Sequence, residues 1–160
     1  MIIFGYPGIG KTTLADGTFS YDKPIDLESS LFSTSTDPYW YKLYAKVAED
    51  LSRQGHLVFV STHPHVLNML DESTEKRIII FPSKDLKDEW IRKLDKRRNE
   101  TGKFKDKRAY LHVKEHYDED IDGLMKTSNR NGFKAYVIDS IDYDLVDILE
   151  EIKNGYDKQS

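Results

Sequence analysis

The sequence Gly5-Tyr6-Pro7-Gly8-Ile9-Gly10-Lys11-Thr12-Thr13 lies directly after the apolar run Met1-Ile2-Ile3-Phe4. It matches G-x-x-x-x-G-K-[ST], a pattern in which backbone N–H groups surround nucleotide phosphates. The lysine of this pattern reaches the terminal phosphates, and the hydroxyl residue after it meets Mg²⁺. Because a buried strand precedes the stretch and helix-compatible residues follow it, the sequence predicts a phosphate-binding loop between a strand and a helix.

Each residue type in this loop has a mechanical reason. Gly8 and Gly10 can adopt backbone angles that other residues avoid, so the main chain can come close to an anion. Pro7 stiffens the turn at a place where no N–H is required. The positive amino-terminal end of the next helix also favours phosphate. We therefore expect ATP to be held, with Mg²⁺ on Thr12, by Gly8, Ile9, Gly10, Lys11, Thr12 and Thr13.

Length and composition limit the remaining possibilities. The chain has 160 residues, which is enough for one domain with a substantial core, and we expect a single domain over 1–160. Its net charge of −4 gives no overall electrostatic footprint for nucleic acid or a membrane surface, although a local basic patch stays open. It has no cysteine and no membrane-spanning apolar run, and we expect no signal peptide because the first predicted strand begins at Met1. We expect a cytoplasmic protein.

Apolar strands alternate with helical segments along the chain. This pattern indicates a parallel sheet that is covered on both faces. The predicted strands are Ile2–Phe4, Lys23–Leu27, Leu57–Val60, Arg77–Phe81 and Ala135–Asp139. The predicted helices begin near Lys11, Asp37, Val66, Lys84, Ala109, Ile121 and Leu145, with glycines at 17, 55, 102 and 132 in the intervening turns.

Two acidic residues follow the second predicted strand. The carboxyl ends of parallel strands border the ligand crevice in such sheets, so Asp26 and Glu28 are candidates for the site. Asp26 is expected to support the metal or to accept a proton from the acceptor, and both carboxylates are candidate substrate contacts. The alternative is a solvated turn after a strand.

A charged helical segment between residues 84 and 108 is the expected source of a cationic clamp. Arginine suits phosphate because its planar fork binds two oxygens at once, and Arg92 and Arg97 are the catalytic candidates. Closure of this segment over the nucleotide would exclude water. Interleaved acidic residues allow a different interpretation, a solvated and salt-bridged helix face.

The acceptor is expected beside the second strand, the helix that begins near Asp37 and the stretch 61–65. Tyr39 and Tyr41 carry rings that could stack on a base, whereas Trp40 falls on an apolar helical stripe and is expected in the core. His63 and His65 have the spacing of metal ligands, but no third ligand is evident, so His63 is expected to line the cleft.

The motifs resemble a known group of kinases. The loop is similar to that of adenylate kinase and related nucleoside monophosphate kinases, and Asp26-Leu27-Glu28 is similar to the acidic pair of shikimate and gluconate kinases. The resemblance implies a three-layer α/β/α P-loop NTPase fold, with five parallel strands in the order 2-3-1-4-5 and a helical lid at about 84–108. The chain also resembles phage-encoded nucleotide-kinase-like proteins. One departure is that no Asp ends the strand Leu57–Val60, which shifts metal support onto Asp26 or Glu28.

The expected function is therefore transfer of the ATP γ-phosphate to a small acceptor, with a (deoxy)nucleoside monophosphate as the leading candidate. The alternative is a non-catalytic or regulatory nucleotide-binding module with at most slow hydrolysis. A kinase that acts on nucleic-acid ends would need a basic groove that the net charge does not indicate.

Overall fold

The computed structural model of the chain describes residues 1–11, 14, 24–33, 37–130 and 132–157. Within these residues five parallel strands form one sheet in the order β2-β3-β1-β4-β5, as the resemblance implied. The strands are β1 (Ile2–Gly5), β2 (Ile25–Asp26), β3 (Val58–Val60), β4 (Arg77–Pro82) and β5 (Phe133–Ile138). Connections between neighbouring parallel strands need crossover segments, and helices supply them here.

Six helices accompany these strands in the described part of the chain. They are α1 (Ser30–Ser33), α2 (Trp40–Arg53), α3 (Pro64–Met69), α4 (Lys87–Thr101), α5 (Phe104–Ser128) and α6 (Leu145–Asp157). A short 3₁₀ turn, Lys84–Leu86, precedes α4. The helix expected after the phosphate-binding loop falls mostly outside the described residues, which include only Lys11 and Leu14 of it.

The central strands carry the core. Ile2, Ile3 and Phe4 of β1 are completely buried, and all of β4 is buried as well. Such continuous apolar strands are typical of a parallel sheet packed between other layers. The outer strand β5 is buried only at its two ends, Phe133 and Ile138, and is more exposed between them, because it lies at the edge of the sheet.

The predicted strand ends differ from the structure by one or two residues, and two of the helix predictions were wrong. The helix expected to begin at Asp37 begins at Trp40, because the Asp37 carboxylate accepts a bond from the Tyr39 N–H at 2.8 Å in a preceding turn. The two separate helices expected near Ala109 and Ile121 are one helix, α5. Its buried residues recur every three or four positions without a break, at Tyr110, Val113, Tyr117, Ile121 and Leu124.

The charged segment 84–108 is more firmly packed than a free lid. Trp90 of α4 is fully buried, and its indole N–H donates to the Pro7 carbonyl at 2.8 Å. The helix ends at Gly102, which has a left-handed φ of 63°. As a result, α4 packs against the glycine loop after β1, and the turn between α4 and α5 lies beside the cleft at that loop.

Candidate functional site

A cleft of about 270 Å³ lies at the carboxyl edge of the sheet. The loop after β1 forms its floor, and the end of β2 forms one wall. Ligands of open parallel sheets bind at this edge. Residues from four parts of the chain meet there: 5 and 7–11 from the loop, 26–30 after β2, Ser61 and Thr62 after β3, and Leu94, Arg97, Lys105, Asp106 and Ala109 from α4 and α5.

The loop has the backbone form expected of an anion cradle. Gly8 and Gly10 have φ angles of 94° and 102°, a region that glycine occupies without strain. The Tyr143 hydroxyl is within hydrogen-bond distance of two loop carbonyls, 2.8 Å from the Ile9 oxygen and 3.3 Å from the Gly8 oxygen. The N–H of a planar trans peptide points opposite to its C=O, so these bonds turn the following amides away from Tyr143.

Close packing against α4 is a second reason why position 8 requires glycine. A Cβ atom at this position would meet Leu94 Cδ2 at 3.0 Å and Trp90 Nε1 at 3.1 Å. The sequence suggested that Gly8 serves the approach of an anion. The described contacts show that it also serves the approach of α4.

A half-buried lysine lies behind the loop. Lys93 Nζ donates to the Tyr143 hydroxyl at 2.6 Å and lies 4.5 Å from the ring centre of Trp90 and 4.6 Å from that of Tyr143. The two rings are stacked, 6.0 Å apart and nearly parallel. Burial, with a smaller effect from the nearby Arg97 charge, lowers the pKa of Lys93 to about 8. Burial raises the pKa of Tyr143, so its hydroxyl stays protonated at neutral pH.

Two ion pairs cross the cleft. Lys11 Nζ lies 3.5 Å from Asp26 Oδ1, which connects the loop to the end of β2. Lys105 Nζ at the start of α5 lies 3.2 Å from Glu28 Oε1. Both acidic candidates therefore face cations across the cleft, which favours a functional role over a solvated turn.

Tyr44 of α2 positions the acidic stretch. Its hydroxyl donates to the Leu27 carbonyl at 2.5 Å and accepts from the Ser61 N–H at 2.9 Å. The side chain is fully buried, and burial raises the pKa of its hydroxyl. One hydroxyl thus holds the ends of β2 and β3 together, with Asp26 and Glu28 on either side of the residue it binds.

Arg97 is the cationic candidate that reaches the cleft. Its Nε lies 3.2 Å from Asp106 Oδ1, and the Thr101 hydroxyl donates to the other carboxylate oxygen at 2.5 Å. Asp106 is only 7% exposed. A buried carboxylate that is bound twice orients the guanidinium, so Arg97 is held at the cleft wall rather than in solvent.

Other predicted site residues lie elsewhere. Arg92 is exposed on α4 and is not among the residues that line the cleft. Tyr39 is 57% exposed with Lys42 over its ring, and Tyr41 stacks on His65 at 4.8 Å. Neither tyrosine is among the residues that line the cleft. Thr12 and Thr13 lie outside the described residues.

His63 lines a second cavity instead of the first cleft. Its ring lies 5.2 Å from that of His65 and 5.5 Å from that of Trp40. Burial, followed by the nearby His65 and His112, lowers the pKa of His63. Trp40 is partly buried against the core, in keeping with the expected structural role.

Three residues that contact the cleft or its loop were not predicted from the sequence. Lys105 and Asp106 reach the cleft only because Gly102 turns the chain back between two helices. Tyr143 reaches the loop from a segment more than 130 positions away. Sequence spacing carries no signal for such contacts, although Gly102 marks the turn.

The donor set fits the ligands that the sequence predicts. Mg²⁺ is usually held by one or two carboxylates together with substrate phosphates, and Asp26 and Glu28 supply two carboxylates at the cleft wall. Within the described residues there is no group of three or more His, Asp or Glu side chains that could hold a metal on its own. Such a group is not required where phosphates supply the remaining oxygens.

Comparisons with known proteins add no family assignment. No protein-family model and no curated protein sequence matches the chain.

None of the described helices combines the length and the apolar character needed to cross a membrane.

Proposed function

We propose that the chain is a P-loop phosphotransferase that moves the γ-phosphate of ATP to a small acceptor, with a (deoxy)nucleoside monophosphate as the leading candidate. One observation carries the proposal. A single cleft gathers the glycine loop, Lys11, the carboxylates of Asp26 and Glu28 and the guanidinium of Arg97. Phosphoryl transfer requires positioning and charge neutralisation, and this set supplies both. The sheet order supports a P-loop fold.

The roles follow from the contacts. Loop amides and Lys11 would bind the β- and γ-phosphates, and Asp26 would leave Lys11 to support Mg²⁺ together with the Thr12 hydroxyl. The metal would neutralise phosphate charge. Arg97, oriented by Asp106, would stabilise the negative charge on the transferred group.

A phosphate acceptor suits the charges of the cleft better than a neutral alcohol. Arg97 and Lys105 line the wall opposite the loop, and both are suited to an anionic acceptor. An acceptor phosphate at neutral pH needs no strong base, so Asp26 is free to support the metal. The monophosphate proposal therefore gives a role to both cations that α4 and α5 bring to the cleft.

The test is a measurement of ADP formation from ATP and Mg²⁺ with a panel of nucleoside monophosphates. We expect ADP to appear with one acceptor or a small set, and Lys11→Ala to abolish it. Arg97→Ala should lower kcat by a factor of about 10²–10³, the usual effect of removing one transition-state donor. Lys96→Ala on the same helix is the control, because Lys96 is exposed and pairs with Glu100. ADP release that is independent of the acceptor would contradict the proposal.

A nucleotide-binding module with slow hydrolysis is the second candidate. It is favoured by the end of β3, where Ser61 and Thr62 stand in place of the acidic residue that many P-loop ATPases keep. If this candidate is correct, ATP should bind to the wild type and Asp26→Asn alike, and no acceptor should increase turnover.

A further inference from the structure

A second cavity of about 600 Å³ adjoins the phosphate cleft. The two share Pro7, Ser61 and Thr62, so the phosphate-binding loop borders both. We call this second cavity the α3–α5 chamber, because α3 with its preceding residue His63 forms one wall and α5 forms the other. Its volume lies within the usual range for small-molecule sites, about 300–1,000 Å³.

Two pairs of polar groups in the chamber are held by hydrogen bonds. Asp120 accepts from the Tyr6 hydroxyl at 3.0 Å and faces His112 Nε2 at 2.8 Å. At the far end, Arg130 Nη1, just after α5, lies 3.5 Å from Asn68 Oδ1 of α3. These bonds place a carboxylate and an amide at the wall of the chamber, where a ligand could meet them.

A flat aromatic ligand fits these walls. The His63 ring is fixed by ring contacts with Trp40 and His65, and it carries no charge at neutral pH because its pKa is lowered. The amide of Asn68 and the carboxylate of Asp120 can pair with the donors and acceptors on the edge of a nucleobase. Leu67 and Leu124 supply apolar surface between these groups.

Gly123 indicates that the space is kept open. This residue lies in the interior of α5, where glycine is a poor helix former, and it lines the chamber. A Cβ atom at Gly123 would meet no other atom within 4 Å. Protein packing therefore does not require glycine here, and a longer side chain at this position would take space from the chamber without a clash against the protein.

We propose that the α3–α5 chamber holds the nucleoside part of the phosphate acceptor, with the acceptor's phosphate at the shared residues Ser61 and Thr62. This inference rests on the proposed function and deepens it. It moves the base away from Tyr39 and Tyr41, where the sequence suggested stacking, to a site walled by α5. The acceptor phosphate would then face the loop that holds the donor.

The test compares two variants that add the same side chain to glycines in open space. Gly123→Leu fills the chamber, and Gly155→Leu adds a leucine on α6, where a Cβ atom likewise meets nothing within 4 Å. Binding of the four deoxynucleoside and four ribonucleoside monophosphates is measured by calorimetry in the presence of a non-hydrolysable ATP analogue. Binding of that analogue alone is measured in parallel, and thermal unfolding confirms that both variants fold.

We expect one or more monophosphates to bind wild type and Gly155→Leu alike, and Gly123→Leu to bind them at least tenfold more weakly. The ATP analogue should bind all three proteins equally. Equal monophosphate binding by Gly123→Leu and wild type would overturn the chamber assignment and leave the kinase proposal standing. Failure of every monophosphate to bind would overturn the assignment as well. Failure of the ATP analogue to bind would instead refute the phosphate-binding loop.

Discussion

Replacement of Lys93 by methionine should stabilise the fold near neutral pH and weaken binding of the triphosphate. Methionine keeps the length of the side chain and can stay in contact with the rings of Trp90 and Tyr143. It removes a positive charge that lies behind the loop in a largely buried position. Stability and function are therefore expected to change in opposite directions.

The magnitude follows from the pKa of Lys93, which burial lowers from 10.5 to about 8. Below about pH 8 the lysine is charged in both the folded and the unfolded chain, and the folded chain bears the full cost of that charge. Between about pH 8 and the unfolded value of 10.5, only the unfolded chain stays protonated, so the stability of the wild type rises with pH. Over about 1.5 pH units the free energy of unfolding of the wild type would rise by about 2 kcal/mol if the lysine were fully buried. Because the side chain is partly exposed, solvent screening reduces this rise to about 1 kcal/mol.

The assay is urea unfolding of wild type and Lys93→Met at about pH 7 and about pH 9.5. The variant's advantage in free energy of unfolding should shrink by about 1 kcal/mol between the two pH values. The effects of tyrosines with raised pKa values, such as Tyr6 and Tyr44, are common to both proteins and cancel in this comparison. Lys96→Met serves as the control, since Lys96 is exposed and should show no such pH dependence.

Binding of ATP supplies the second half of the prediction. The charge of Lys93 is relayed toward the loop through the Tyr143 hydroxyl, 2.8 Å from the Ile9 oxygen. Loss of the charge should weaken ATP binding by a factor of about 5–10, or about 1 kcal/mol, at low salt. A constant difference in stability at both pH values would refute the proposed burial cost. Unchanged ATP affinity would refute the electrostatic role.

Two further substitutions test how the loop and the acidic stretch are held. Gly8→Ala should cost roughly 2–3 kcal/mol in urea unfolding, because it combines a positive φ with a clash against α4. Gly55→Ala has a similar φ of 92° but open space around its Cβ atom, so it should cost only about 1 kcal/mol; equal costs would refute the clash. Tyr44→Phe should lose about 2–3 kcal/mol and raise the KM for MgATP, because the buried Ser61 N–H and Leu27 carbonyl lose their partner; an unchanged KM would argue against a positioning role.

The fold could be predicted in outline because local patterns dominate it. The strands β1, β3 and β4 are short apolar runs between turn residues, and the resemblance of the glycine loop to that of known kinases implied the order of the strands. Boundaries were harder, since α5 continues through the charged stretch 118–120, which lies between the two separate helices that were expected. The buried residues Tyr117 and Ile121 lie on either side of these charges and continue the apolar face of the helix. A count of polar residues does not reveal that this face is continuous.

The parts of the cleft that are formed by residues close to strand ends could be predicted from the sequence. The parts that depend on tertiary packing could not. The loop, Asp26 and Glu28 follow strand ends, and topology alone brings strand ends together. The choice between Arg92 and Arg97 depends on which face of α4 meets the cleft. That face is set by Trp90 and Leu94 packing on Gly8, a contact between residues more than 80 positions apart. Composition and spacing could identify a helix that carries suitable cations, but they could not predict which face of that helix meets the cleft.

The charge pairs of the cleft give a physical reason for a nucleotide to reorganise it. Lys11 and Asp26 face each other at 3.5 Å, and both side chains keep part of their surface in solvent, so the pair itself contributes little to stability. A triphosphate offers Lys11 more negative charge than one carboxylate does, and Mg²⁺ offers Asp26 more positive charge than one ammonium does. Exchange of partners on both sides is therefore favourable without loss of a strong internal bond. The same two residues can therefore pair with each other before binding and with the nucleotide and the metal afterwards.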